Sequence, residues 1–235
     1  MTLFEGRGLL CVRGERRVFA NLDFAVSAGG LLVLTGPNGS GKSSLLRVMA
    51  GLLRPAQGAL YWAGAPVAED PEAQAARLHY LGHLDAVKPV LTAAENLAFW
   101  AALHGGATAE VVRALAAFDL TALAEVPAGM LSAGQRRRVA LARLLVAPAE
   151  IWLLDEPTVG LDTASLARLS ATIADHRATG GRVVAATHAP LEARDAETLD
   201  LGAFTLAPGQ AHAAWGAAWG AAWRAPSELG REIGG

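Results

Sequence analysis

Short apolar runs broken by turn residues open the chain: Leu9 to Val12, then Gly14-Glu15, then Val18 to Val26, then Ala28-Gly29-Gly30. Runs of that length between such residues predict short antiparallel strands. Leu31-Leu32-Val33-Leu34-Thr35 has a different character, being continuously apolar between glycines. It predicts a strand buried on both faces, as in a parallel sheet. A helix is predicted over Ser43 to Leu53, and strands over Gln57 to Ala63 and Leu78 to Leu81. From Thr92 to Pro148 the pattern turns helical and rich in alanine and leucine. Thr92 with Glu95 has the form of a capping box, and breaks fall near Gly105-Gly106 and at Pro127 to Gly129. Strand character returns at Ile151-Trp152-Leu153-Leu154, a helix runs from about Thr163 to Thr179, and Val183 to Thr187 is a further strand. The chain reads as an α/β core interrupted by a helical insertion. Segments 1–83 and 148–205 form one body, 84–147 a second lobe, and 206–235 a tail.

Composition narrows the function classes. The chain is 52% hydrophobic and 18% charged over 235 residues, which fits one folded core with a smaller subdomain rather than a disordered chain. A formal net charge of -2, with Arg136-Arg137-Arg138 as the only basic cluster, predicts no nucleic-acid partner. Cys11 is alone, so an intrachain disulfide has no second partner. Met1 to Gly8 lacks the apolar stretch of a signal peptide, and the longest apolar runs are strand-length. Membrane attachment is therefore expected to come through a partner. In the tail, Ala213-Ala214-Trp215-Gly216 begins a four-residue tryptophan repeat that continues through Trp219 and Trp223. It is read either as low complexity or as an aromatic surface for a partner or membrane interface.

Gly36-Pro37-Asn38-Gly39-Ser40-Gly41-Lys42-Ser43 matches G-x-x-x-x-G-K-[ST] at every fixed position, between a predicted strand and a predicted helix. Glycines let the backbone curl until successive N–H groups point inward at a helix N-terminus, forming an anion nest that includes Ser44. Lys42 adds charge for the β- and γ-phosphates, and the Ser43 hydroxyl suits Mg²⁺. Ile151 to Leu154 ends in Asp155-Glu156. Carboxylates at the C-terminal end of a buried parallel strand sit where such sheets bind ligands. Asp155 suits Mg²⁺ and Glu156 suits activation of the attacking water. A third stretch, Leu131-Ser132-Ala133-Gly134-Gln135, opens a predicted helix and offers a second anion site.

These motifs together resemble the ATP-binding subunits of ABC transporters. Leu131 to Gln135 is similar to the signature motif, with alanine at its first glycine; Asp155-Glu156-Pro157-Thr158 resembles Walker B; Gly160-Leu161-Asp162 resembles the D-loop; Ala185-Ala186-Thr187-His188 resembles the switch-histidine strand. The resemblance implies a P-loop NTPase with a RecA-like core, an antiparallel β subdomain and an inserted helical subdomain. It also implies ATP and Mg²⁺ as cofactors and a head-to-tail dimer of two copies. Ser132 and Gly134 would meet the γ-phosphate in trans, and His188 would hold the transition state.

Two positions depart from the family pattern. Where a metal-contacting glutamine is usual, nine residues before Thr92, stands His83; where an adenine-stacking aromatic is usual stands Arg13, which could stack by its guanidinium plane unless Phe19 reaches in. With Leu9 to Arg16, Leu81-Gly82-His83, Leu91 to Leu97 and the signature helix, the chain is most similar to the CcmA family, the ATP-binding subunits of the haem exporter of bacterial cytochrome c biogenesis. That resemblance implies a peripheral place on the cytoplasmic face of the inner membrane. The implied partners are membrane subunits CcmB, CcmC and CcmD and, indirectly, the haem chaperone CcmE. The alternatives are the ATPase of another lipid, drug or polysaccharide exporter and, more remotely, a soluble non-transport ABC protein.

Overall fold

The computed structural model describes residues 3–187, 191 and 195–205. His188 and the tryptophan repeat from Ala213 lie outside these residues. Leu3–Arg13 (β1) and Arg16–Ser27 (β2) form an antiparallel hairpin closed at Gly14-Glu15. Gln57–Trp62 (β4) and the short Ala65–Pro66 (β5) extend it to a four-stranded sheet of order β2-β1-β4-β5. Leu31–Thr35 (β3) belongs instead to a five-stranded sheet, every pairing of which is parallel. Its order is β6-β7-β8-β3-β9, with β6 Leu78–Leu81, β7 Ile151–Asp155, β8 Arg182–Ala186 and β9 Glu197–Asp200.

The central parallel strands β3, β7 and β8 are largely apolar at consecutive positions because helices or sheet cover both faces. Trp152, Leu154, Val183 and Ala185 pack with one cluster, while Ile151, Leu153, Val184 and Ala186 pack with the other. The first cluster contains the helices Ala93–His104 (α3), Thr108–Ala117 (α4) and Ala133–Ala142 (α5), together with Thr163–Ala178 (α6). The second contains the β1–β2 hairpin and the helix Lys42–Met49 (α1). Period-two alternation along β7 therefore assigns Asp155 to the face of Ile151 and Leu153, where α1 lies.

Local signals set the helix ends. Glu95 N donates to Thr92 Oγ1 at 3.1 Å while Thr92 N donates to Glu95 Oε2 at 2.8 Å, completing the capping box at α3. Gly105, at φ 75, ends that helix. The helix expected to run to Leu53 stops at Met49, because Gly51 takes a left-handed conformation at φ 72. The pattern gives no sign of the helix Pro71–Arg77 (α2) or of β9, both of which are short and nearly without large apolar residues.

Candidate functional site

β3 delivers the chain into the loop at Gly36, whose φ is 119. A Cβ there would lie 3.0 Å from Asp200 Oδ1 and 3.1 Å from both Gly202 N and Ser40 Oγ, so the turn has room only for glycine. Gly41, at φ 105, precedes the first residue of α1; a Cβ on it would come 2.5 Å from Val18 Cγ1. The β1–β2 hairpin is thus pressed directly onto the loop. The first N–H groups of α1 follow directly from the loop and lack intrahelical partners, and the helix dipole adds positive potential there. Lys42 is buried and donates from Nζ to Gly36 O at 2.7 Å and Pro37 O at 3.3 Å, so its charge lies across the loop.

Ser43 and Asp155 are 112 residues apart in sequence, yet Ser43 Oγ donates to Asp155 Oδ1 at 2.9 Å. Asp155 is 2% exposed, and its Oδ2 has no hydrogen-bond partner among the described residues. A buried carboxylate oxygen without a donor calls for one or for a cation. Glu156 follows in a left-handed conformation, φ 50, which turns it out of the strand. Its N–H donates to Ala186 O at 2.8 Å, and its carbonyl accepts from Arg137 Nη2 at 2.5 Å. Glu156, Lys42, Ser43 and Asn38 line one side of a groove of about 330 Å³, whose other side carries Arg13, Arg16 and Val18.

The other expected residues sit apart from this groove. His83 is exposed just beyond β6 and is not on the groove wall. No group of three or more metal-ligating side chains occurs among the described residues, so His83 joins no such cluster with Asp155. Phe19 is fully buried and offers no face to a base. Ser132 caps α5: Gln135 N donates to Ser132 Oγ at 3.2 Å, and Ser132 N donates to Gln135 Oε1 at 2.8 Å. Leu131 is buried beneath it, Ala133 is exposed, and a Cβ on Gly134 would lie 3.5 Å from Gly160 O. Leu161 packs against the core cluster, and Asp162 caps α6, accepting from Ser165 N at 2.7 Å. Hydrogen bonds from Ser165 hold the Asp162 carboxyl below its ordinary range. None of residues 131–135 is on the groove wall of the same chain. Thr187, next to His188, shares a hydrogen bond with Thr158 at 3.0 Å between their Oγ1 atoms.

The sequence pattern does not single out two further residues, Arg16 on the groove wall and Arg137 behind Glu156. Arg16 stands opposite Arg13 in the hairpin register, which the two-residue turn Gly14-Glu15 already implied. Arg137 was set aside as one of three consecutive arginines, although its spacing from Ala140 and Leu141 puts it on the buried stripe of α5.

The model of the ABC transporter family matches residues 19–159. A protein of Paramagnetospirillum magneticum called cytochrome c biogenesis ATP-binding export protein CcmA is 60% identical over 208 residues, covering 87% of this chain and 96% of its own length. Its counterpart of the same name in Rhodospirillum rubrum is 57% identical, covering 89% and 90%. Among solved structures, a dimeric ATP-binding cassette in a post-hydrolysis state with ADP and Pi superposes with a TM-score of 0.72. It is 25% identical, covering 85% of this chain and 95% of that one.

Proposed function

The chain belongs to the ABC transporter family of ATP-binding proteins, and from this premise we propose that it powers haem handling in bacterial cytochrome c biogenesis. It is an ATP-binding, ATP-hydrolysing subunit of an export complex. The observation that carries the chemistry is the Ser43–Asp155 hydrogen bond, which joins the phosphate loop to the end of β7.

ATP would lie in the groove with its β- and γ-phosphates against the amides of Gly39 to Ser44 and the charge of Lys42. Ser43 and Asp155 are the residues that would hold Mg²⁺, since the Ser43 hydroxyl is bonded to Asp155 Oδ1 while the buried Oδ2 has no partner among the described residues. When bound, the ion supplies charge compensation to the phosphate oxygens. Glu156 takes the proton of the attacking water as the oxygen closes on the γ-phosphorus and the bond to ADP breaks. Ser132 and Gly134 of a second copy would close over the same γ-phosphate, because residues 131–135 of the same chain are not on the groove wall. His188 and Gly160 to Asp162 would complete that interface.

Membrane subunits of the CcmB, CcmC and CcmD type would receive the stroke on the cytoplasmic face of the inner membrane, and CcmE would be released beyond it. Among the described residues no helix is long and apolar enough to cross a membrane. Glu156→Gln should cut turnover at least about tenfold and accumulate an ATP-bound dimer, measured by phosphate release and gel filtration; unchanged turnover would refute the role of Glu156. Copurification from membranes should recover haem-handling subunits, and an unrelated permease in their place would point to another exporter.

A further inference from the structure

Arg137 is 6% exposed; both of its terminal nitrogens are matched, while its Nε has no hydrogen-bond partner among the described residues. One terminal nitrogen donates to Asp85 Oδ1 at 2.7 Å; the other donates to the main-chain oxygen of Glu156 at 2.5 Å. Three parts of the fold meet at this one side chain: α5, the segment that leads from β6 into α3, and the end of β7. Asp85 is held a second time, since Arg143 Nη1 donates to its main-chain oxygen at 3.1 Å. Glu156 meanwhile has φ 50, a conformation that a residue with a side chain resists, and its main chain is tied on both sides. Ala186 O accepts from its N–H, and Arg137 donates to its carbonyl. That main-chain conformation sets the Cα–Cβ direction from which its carboxylate starts.

We propose that Arg137 is a positioning residue for hydrolysis. It locks the main chain of Glu156 in the left-handed turn and joins it to Asp85, so that the seating of the α3–α5 helices sets the aim of the carboxylate. This rests on Glu156 being the group that takes the proton from water. The planar fork is essential, because one guanidinium reaches two acceptors that diverge, whereas a lysine ammonium on a single stem serves one of them well. A small displacement of a catalytic group lowers the rate steeply while leaving ground-state binding intact.

The test uses the full-length chain with the membrane subunits that copurify with it. Arg137→Lys should lower kcat about tenfold with the Kd for ATP within about twofold of wild type. Asp85→Asn, which changes a partly exposed partner, should lower kcat about threefold in the same manner; it carries the comparison if Arg137→Lys does not fold. Added to Glu156→Gln, Arg137→Lys should cause no further loss, because both act through the same group. Wild-type kcat in Arg137→Lys, a loss confined to Kd, or multiplying losses in the double variant would overturn the proposal. Unchanged turnover in Glu156→Gln alone would remove the base reading and this one together. A normal loss in Glu156→Gln beside an unaffected Arg137→Lys and Asp85→Asn would remove this one only.

Discussion

Arg13 and Arg16 face each other at the turn end of the β1–β2 hairpin, and the contact of Val18 with Gly41 holds that end beside the phosphate loop. Neither guanidinium makes an ion pair or hydrogen bond among the described residues, and both residues line the groove, where they can meet a purine face. Guanidinium stacking reads the face and not the edge of a base, so adenine and guanine should be nearly equivalent. Direct binding measurements should give GTP a Kd within about fivefold of ATP, since each exposed cation–π contact contributes about 0.5–1 kcal/mol. Replacing both arginines by alanine should weaken ATP and GTP about equally and leave tripolyphosphate binding unchanged. Lys42→Ala should weaken all three. A strong preference for ATP in the wild type would contradict this account. The phosphate loop, Asp155 and Glu156 were legible because each is a contiguous string with a fixed chemistry. Arg137 was not, because its acceptor Asp85 is 52 residues away and no local pattern marks the pair.

The same capping box opens two helices, at Thr92 before α3 and at Ser132 before α5. Removing either hydroxyl removes one hydrogen bond to a helix N-terminus, a loss of about 1 kcal/mol. Thr92→Ala and Ser132→Ala should therefore lower thermal stability by similar amounts, measured by circular dichroism. Only Ser132→Ala should also lower ATPase activity at saturating ATP, since Ser132 is read as the γ-phosphate contact of a second copy. An equal loss of activity in Thr92→Ala would reduce Ser132 to a helix cap. Elements with strong periodicity or a complete apolar run were readable, β3, β7 and β8 among them. β9 was not: Glu197-Thr198-Leu199-Asp200 has one apolar residue, and its strand conformation comes from pairing with β3.

Across the whole molecule, the sheet and the α3–α5 helices meet in a seam that contains titratable rings. His79 of β6 lies beside His104 of α3, ring centroids 4.9 Å apart, and Arg143 follows α5 over the Trp100 ring. Burial pushes His79 down to about 4, with His104 and then Arg143 adding repulsion. Near the C-terminal end of α6, His176 stacks on Trp152 with centroids 3.8 Å apart, and burial lowers it to about 4 as well. In the unfolded chain these imidazoles would titrate near their ordinary 6.5, so below that pH the unfolded state binds more protons than the folded one. Stability is therefore fully present above pH 6.5 and should decline as pH falls toward about 4. The thermal midpoint should drop between pH 7 and 5, and replacing His79 and His176 by phenylalanine should flatten that drop. An identical slope in the double variant would place the pH sensitivity elsewhere.

What the sequence by itself determined is what lies close together along the chain: the glycine turn of residues 36–41, the caps of α3 and α5, the apolar strands, and the acidic step at Asp155-Glu156. Each follows from local dihedral preference, periodicity or side-chain chemistry. The tertiary structure decided which of these share one groove. The face of β7 that Asp155 occupies sets its contact with Ser43, the seating of Val18 on Gly41 brings Arg13 and Arg16 to the loop, and the burial of α5 brings Arg137 to the carbonyl of Glu156. These contacts join residues far apart in sequence, and only the packing of both sheet faces brings them within hydrogen-bonding distance.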